Sequence, residues 1–161
     1  MAKPGSTKAA ASTDVLVSEN KKARFQYEIL DRVEAGISLT GSEVKSLRAG
    51  QASLDEAYAR IRDGEVYLIG ANISPYPMAG YAQHVPKRER KLLLHRRQIK
   101  KWEGKVTLKG FTLVALGLHF NERGMVKLDL ALARGKTHGD KRLDLKAKDQ
   151  KREMDRAMRR K

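Results

Sequence analysis

The histidines are the residues in this sequence that could most readily bind a metal ion or transfer a proton. His84, His95, His119 and His138 are never separated by the two to four residues found in local zinc motifs. His119 lies within an apolar segment, where a hydrogen-bonded core or edge histidine is expected more often than a catalytic one. The chain has no cysteine, which excludes disulfides and thiolate metal sites. The sequence therefore predicts no catalytic site, no cofactor and no metal site, unless the fold gathers distant histidines.

Basic side chains are the chemistry that the sequence does supply. Lys and Arg number 34 against 19 Asp and Glu, a formal net charge of +15 over 161 residues. Such an excess points to a polyanionic partner, which is RNA, DNA or an anionic membrane surface. The longest mostly apolar run, 111–118, is far shorter than the roughly 20 residues that cross a bilayer. Residues 1–14 lack the apolar stretch of a secretory signal. We therefore expect a cytoplasmic nucleic-acid-binding protein with no membrane partner.

The densest basic cluster is the segment 86–97, in which six of twelve residues are Lys or Arg. Cationic side chains of this kind displace counterions from a phosphate backbone and so bind it without sequence choice. The alternative is a solvated charged surface around buried Leu92–Leu94. A second basic cluster at 20–24 and a basic C-terminal segment favour RNA binding.

The composition divides the chain into three parts. Residues 1–19 show no hydrophobic period and are predicted to be a mobile N-terminal arm. Residues 20–135 contain all nine aromatic residues and form the predicted RNA-binding body. Residues 136–161 are predicted to be a basic tail, because they have many charges and no aromatic residue.

The elements that must position these side chains are mainly strands. Alternation of apolar and polar residues predicts five strands, within 25–29, 57–62, 66–68, 111–120 and 126–132. Asp63-Gly64 predicts a hairpin turn, and helices are predicted at 42–48 and 96–103. This mainly β pattern is compatible with a small Greek-key barrel of the oligonucleotide-binding (OB) type with one or two inserted helices. A split sheet packed on two helices is the alternative.

The tail carries a narrow apolar stripe. Met154, Ala157 and Met158 have helical spacing, and no Pro or Gly interrupts residues 140–161. An isolated helix of this length is marginal in water, so we expect the tail to be disordered when free and helical against a wall of RNA. The alternative is a disordered tail that only raises nonspecific affinity.

Five blocks of sequence resemble one bacterial family. They are Asn20-Lys21-Lys22-Ala23-Arg24, Glu34-Ala35-Gly36-Ile37, Gly41-Ser42-Glu43-Val44-Lys45-Ser46-Leu47-Arg48-Ala49-Gly50, Arg90-Lys91-Leu92-Leu93-Leu94-His95 and Asp140-Lys141-Arg142. In this order and spacing they resemble the SsrA-binding protein (small protein B) family, from about residue 18 to the C-terminus.

The resemblance implies a function without catalysis. The family uses an OB-type barrel to bind the tRNA-like domain of transfer-messenger RNA. It brings this RNA, delivered by elongation factor Tu, to ribosomes stalled on broken messages for trans-translation. The resemblance also implies that the tail folds as a helix in the empty mRNA channel, beyond the small-subunit decoding centre.

The resemblance assigns site residues by position. Glu34, Leu93 and Lys127 match positions that contact or support the RNA in the family. Together with the basic clusters, the predicted RNA-binding set is Asn20, Lys21, Lys22, Arg24, Glu34, Glu43, Lys45, Arg48, Arg88, Arg90, Lys91, Leu93, Lys127 and Lys136. The predicted ribosome-contacting set in the tail is His138, Asp140, Lys141, Arg142, Lys146, Lys151, Arg152, Met154 and Met158.

One position departs from the family. An aromatic residue or histidine usually precedes the Asp-Lys-Arg block, where it stacks on a ribosomal base, but this chain has Gly139 there. We expect His138 to supply the ring instead; the alternative is that the contact is lost. A general RNA-binding or ribosomal protein and a ribonuclease are the competing functions.

Overall fold

The protein is described by a computed structural model that covers residues 14–108 and 110–159. Within these residues the elements are β1 (Val15–Glu19), α1 (Lys21–Gln26), β2 (Tyr27–Ile37), α2 (Gly41–Arg48), β3 (Ala52–Ser53), β4 (Tyr58–Arg62), β5 (Glu65–Ile69), β6 (Asn72–Ile73), β7 (Arg90–Leu93), α3 (Arg96–Val106), β8 (Phe111–Phe120), β9 (Val126–Gly135) and α4 (His138–Met158). A short 3-10 turn lies at Gly80–Ala82.

Six of the strands close into an antiparallel barrel. The hydrogen-bonded order is β8-β4-β5-β7-β2-β9, and β9 pairs again with β8 to complete the ring. The predicted mainly β architecture with inserted helices is thus confirmed. The closed ring also decides between the two predicted alternatives, in favour of a barrel and against a split sheet packed on two helices. The short pair β3–β6 lies outside the ring.

Alternation along β9 shows why the barrel forms. Its inward residues are Val126, Leu128, Leu130 and Leu132, and the last three are fully buried in the main core. Its outward residues are Lys127, Asp129, Ala131 and Ala133. Because side chains alternate with period two, this one strand supplies both a core face and an outer face. The predicted alternation in 126–132 is confirmed.

Glycines permit two of the tight turns. Asp63 and Gly64 both have positive φ, 54° and 74°, as a two-residue hairpin turn requires. The predicted turn between β4 and β5 is therefore confirmed. At Gly70 a Cβ atom would lie 2.5 Å from the carbonyl oxygen of Glu56, so this position has no room for a side chain.

Two helices pack on the main core through a few buried residues. α2 contributes Leu47, and α3 contributes Ile99 and Trp102. The helix predicted to begin at Ser42 instead has Thr40 as its N-cap, because Thr40 and Glu43 form a reciprocal capping box. α3 continues through Gly104 to Val106, beyond its predicted end.

A third helix, α1, was missed. The spacing of Phe25, Tyr27 and Ile29 resembles a strand, but the chain is helical up to Gln26 and extended from Tyr27. Asn20 caps α1 by accepting a hydrogen bond from the backbone N–H of Ala23. α1 covers a second, smaller apolar cluster on the outer face of β8 and β9.

The prediction of a mobile arm over residues 1–19 is wrong at its C-terminal end. Residues 15–19 form β1, which pairs antiparallel with β8 from Val15 opposite Phe120 to Glu19 opposite Gly117. The physical reason is that β8 is longer than its partner β4, so its remaining backbone groups are free to pair. The part of the arm prediction that concerns residues 1–13 lies outside the described residues.

The C-terminal segment forms α4, a helix of 21 residues with none buried. At 1.5 Å per residue it is about 31 Å long. It contacts α1, and Lys136 just before it forms an ion pair with Asp144. Disorder of this segment in the free protein stays a prediction.

Candidate nucleic-acid interface

A row of side chains crosses the outer face of the barrel from β7 to β8. Leu93 lies opposite Gly36, Gly36 opposite Lys127, and Lys127 opposite His119. Directly paired residues in antiparallel strands point to the same side of the sheet, so these four share one face. We call this row, together with Glu34 and Asp129 beside it, the outer row. It unites the three residues Glu34, Leu93 and Lys127, which are far apart in sequence.

The outer row combines apolar and charged groups. Leu93, the last residue of β7, is 56% exposed, which is a large exposed fraction for a leucine in a strand. Glu34 lies 3.9 Å from the ammonium of Lys127 through Oε1 and 3.5 Å from His119 Nε2 through Oε2. A Cβ atom added at Gly36 would approach Cβ of Leu93 to 3.2 Å, so the glycine lets Leu93 lie flat on the row. An exposed leucine beside a lysine can pack on a ribose or base while the ammonium binds a phosphate.

A second group of predicted residues lies at the other end of the β2–β9 ladder. Lys21, Lys22 and Arg24 are exposed on α1. The ammonium of Lys136 donates to the carbonyl of Arg24 at 3.2 Å and pairs with Asp144 of α4. This basic group therefore surrounds the root of the tail; we call it the root cluster.

The outer row and the root cluster are well separated. The ladder runs from Tyr27 opposite Gly135 to Gly36 opposite Lys127. The nine steps from residue 27 to residue 36, at about 3.3 Å each, span about 30 Å along the strand. The predicted RNA-binding residues thus do not form one patch, and a partner that contacts both groups must be large.

Three predicted RNA contacts are wrong because their side chains are inside the protein. Arg90 and Glu43 are fully buried, and Asn20 is almost so. Arg90 donates to Glu43, to the carbonyls of Ala71 and Arg88 and to that of Pro86. The Asn20 amide donates to the carbonyl of Leu54 at 2.8 Å. These groups hold the fold together, and no surface is left on them for RNA.

The Glu43 carboxylate is the centre of this buried network. Its Oε2 accepts hydrogen bonds from Arg88 and from the backbone N–H of Thr40, both at 2.9 Å. Burial alone would raise the pKa of Glu43, but the hydrogen bonds from Arg88 and Thr40 and the charge of Arg90 lower it below its ordinary value. The carboxylate therefore stays ionised and anchors α2 to the segment that precedes β7.

The remaining predicted residues of the body are accessible. Lys45 and Arg48 are exposed on α2, and Lys45 lies 5.4 Å from the centre of the Tyr76 ring. Arg88 is partly exposed although it binds Glu43. Lys91 forms an ion pair with Glu65 at 2.5 Å. This pair keeps Lys91 engaged on the protein surface unless a phosphate competes for it.

The predicted tail residues all lie on α4 and, except for half-buried Lys141, are exposed. Asp140 has a structural role besides: it receives hydrogen bonds from the hydroxyl and backbone N–H of Thr137, the N-cap. The side-chain hydrogen bond from Thr137, followed by the backbone one, lowers the pKa of Asp140. An ionised carboxylate in the first turn also complements the helix dipole.

Sequence reasoning missed part of the tail stripe and part of the outer row. Leu143 and Ala147 continue the stripe of Met154 and Met158 on the same side of α4, because all four fall within about 60° at 100° per residue. His119 and Asp129 belong to the outer row, a fact visible only in the register of β8 and β9. The 3.6-residue period was available to find Leu143, whereas nothing local signals His119.

The comparisons with known proteins assign the family. The family described as SmpB protein matches residues 17–160. This chain belongs to the SmpB family. An SsrA-binding protein of Symbiobacterium thermophilum is 54% identical over 143 residues, which cover 89% of this chain and 90% of the relative. Another from Rhodopseudomonas palustris is 56% identical over 144 residues, 89% and 92% of the two chains.

A solved structure supports the same family assignment. The solved structure "tmRNA-SmpB: a journey to the center of the bacterial ribosome" contains a chain that is similar to this one, with a TM-score of 0.63 and 52% sequence identity. The match covers 74% of this chain and 84% of that one. Membership of the SmpB family is therefore supported by both sequence and fold. Among the described elements, no helix has the length and apolar character needed to span a bilayer.

Proposed function

We propose that this chain binds transfer-messenger RNA and acts with it in trans-translation on stalled ribosomes. The observation that carries the proposal is the outer row, which places Glu34, Leu93 and Lys127 together on the outer face of the barrel. The chain that carries this row belongs to the SmpB family. The chain catalyses no step itself and uses no cofactor in this role. Its action is in the cytoplasm, where ribosomes translate.

The outer row is the proposed contact for the tRNA-like domain. Leu93 supplies an apolar surface, and Lys127 supplies a cation whose side chain is only 26% exposed and already near Glu34. Such partly fixed groups lose less conformational entropy on binding than free surface lysines. The fixed spacing of Leu93 and Lys127 across Gly36 therefore favours one RNA surface over the phosphate backbone in general.

The tail is the proposed ribosomal contact. α4 leaves the barrel at the root cluster, about 30 Å from the outer row by strand length. Its exposed basic residues suit a channel walled by RNA, and the stripe from Leu143 to Met158 suits an apolar groove in that wall. An mRNA that occupies the channel would leave no room for the helix. The tail would therefore sense an empty channel past the decoding centre.

Elongation factor Tu enters the proposal through the RNA. The two ends of the β2–β9 ladder allow one end to hold the RNA while the other faces the ribosome. The factor then contacts the aminoacylated end of transfer-messenger RNA rather than a surface of this chain.

The first test measures RNA choice. The purified chain is titrated with transfer-messenger RNA and with an unrelated tRNA of similar size at the same salt concentration. Clearly tighter binding to transfer-messenger RNA supports the proposal, and equal binding indicates a general RNA-binding protein. RNA that copurifies from the native cell provides an independent check when it is sequenced.

The second test separates body from tail. A chain ending at Gly139 should keep RNA affinity within a few-fold, because the outer row is intact, and lose tagging on stalled ribosomes. A chain ending at Arg159, which keeps all of α4, is the matched control and should tag normally. Tagging by the shorter chain would contradict the proposed role of the tail.

A further inference from the structure

A buried histidine lies among three carboxylates at the end of the outer row. Nε2 of His119 is 3.5 Å from Oδ2 of Asp14 and 3.5 Å from Oε2 of Glu34. The His119 side chain is only 8% exposed, and its Nε2 makes no hydrogen bond. A buried polar atom without a hydrogen bond is costly, so its position between two carboxylates calls for a ligand.

We propose that His119 Nε2, Asp14 Oδ2 and Glu34 Oε2 form a binding site for a divalent transition-metal ion of the zinc class. The three donor atoms all lie within 4.8 Å of one another. Two ligands of a tetrahedral zinc ion, each at about 2.0–2.1 Å from the metal, lie about 3.4 Å apart. The two separations from His119 Nε2, 3.5 Å each, are close to this value.

The surroundings of the ring fit a metal-binding histidine. Nδ1, the other ring nitrogen of His119, lies 3.7 Å from Oδ2 of Asp129. A carboxylate behind the ring orients a ligating histidine and raises its basicity. If Nδ1 carries the ring proton and a small shift of Asp129 brings the two atoms within hydrogen-bond distance, Nε2 is left unprotonated and able to bind a metal ion.

The donor set selects the class of metal. Imidazole together with carboxylates suits zinc and similar transition metals, whereas magnesium prefers oxygen ligands and water. Three protein ligands leave a fourth position for water. Lys127 faces Glu34 through the other carboxylate oxygen, so the metal and the ammonium do not compete for one atom.

A simple ion pair is the competing explanation. A protonated His119 would be attracted to the same carboxylates but would bind no metal. The two explanations differ in stoichiometry, in the effect of ligand substitutions and in the spectrum of a bound ion, none of which requires RNA. The test is therefore independent of the proposed function.

The experiment titrates the full chain with Zn²⁺ by isothermal calorimetry at neutral pH. We expect one site that is weakened at least about tenfold by His119→Asn and by Asp14→Asn, as loss of a ligand should exceed the 10–100-fold effect of second-shell changes. His95→Asn, at an exposed histidine on the surface, is the matched control and should leave this site unchanged. Co²⁺ in place of zinc should give the intense visible absorption of a four- or five-coordinate ion.

Several results would overturn the proposal. They are no binding of Zn²⁺, equal affinity in the His119→Asn and wild-type chains, or a weak octahedral Co²⁺ spectrum. Circular dichroism shows whether the His119 variant folds. If it does not, Asp14→Asn decides, because Asp14 precedes β1 and contributes nothing to the core. Unchanged affinity in that variant then excludes the site.

Discussion

The carboxylate of Glu43 and the guanidinium of Arg90 form an ion pair with no exposure to solvent. Nη2 of Arg90 lies 2.8 Å from Oε1 of Glu43, and both side chains are 0% exposed. The two residues are 47 positions apart and join α2 to β7. Both residues belong to the sequence blocks that resemble the family, and both lie in the protein interior.

Breaking this pair from one side should destabilise the protein strongly. Arg90→Ala leaves the Glu43 charge buried with only part of its compensation, and we expect a loss of about 3–5 kcal/mol in the free energy of unfolding. Urea denaturation at neutral pH measures this. Arg62→Ala, which removes an exposed ion pair with Glu89 and a cation–π contact with Tyr67, is the control and should cost much less. Similar losses in the two variants would show that the buried pair does not stabilise the fold.

The lowered pKa of Glu43 predicts loss of stability in acid. The folded-state pKa lies below the ordinary value of 4.5, so the unfolded chain binds the proton first as the pH falls. Stability from this group is therefore complete above about pH 5 and is lost as the pH falls through 4.5 towards the folded pKa. Urea midpoints between pH 6 and pH 3 measure the effect.

Glu43→Gln should flatten this acid dependence. Asp31, whose pKa is lowered by hydrogen bonds from Lys101 and Trp102, should keep part of it in that variant. Asp31→Asn serves as the comparison and should remove only the part of the acid dependence that Asp31 contributes. An unchanged pH dependence in the Glu43 variant would place the acid sensitivity elsewhere.

The burial of Arg90 and Glu43 also shows where sequence reasoning fails. A run with six basic residues in twelve is typical of a surface, and nothing within 86–97 signals that one arginine has a partner on a distant helix. By contrast, alternation in 126–132 and the Asp63-Gly64 turn are local properties of the chain, so they were predicted correctly. The outer row depends on strand register, which joins Leu93, Gly36 and Lys127 through contacts that no local pattern contains.

Lys127 is expected to contact a phosphate from the outer row. Lys127→Ala should weaken binding to transfer-messenger RNA and reduce the slope of log affinity against log salt by about one unit. Lys105→Ala, at an exposed lysine on α3 outside the predicted set, is the control and should leave the slope unchanged. A wild-type slope in the Lys127 variant would mean that its ammonium pairs only with Glu34.

The helical form of α4 should be required for tagging. Ala147→Pro removes a backbone donor in the middle of α4 and clashes with the preceding turn, at a cost of about 3 kcal/mol or more. We expect transfer-messenger RNA to bind normally and tagging on ribosomes with truncated messages to be lost. Ala147→Ser keeps the helix and should tag like the wild type. Normal tagging by the proline variant would mean that the tail acts in an extended form.

His138 is expected to supply the ring that Gly139 lacks. The two residues are the first and second of α4 and point about 100° apart around it. His138→Ala should reduce tagging roughly tenfold, in keeping with base stacking worth about 1–3 kcal/mol. A Cβ atom at Gly139 would lie 3.9 Å from Thr137 Oγ1, an ordinary van der Waals contact, so a side chain fits there.

This geometry allows a rescue experiment. Adding Gly139→His to the His138→Ala chain should restore tagging, because it returns a ring to the position that precedes Asp140 in the family pattern. Adding Gly139→Ala instead controls for the stiffer backbone and should not restore it. Full tagging by His138→Ala alone would show that the ring is not used, since the glycine chain would then work with no stacking residue at either position.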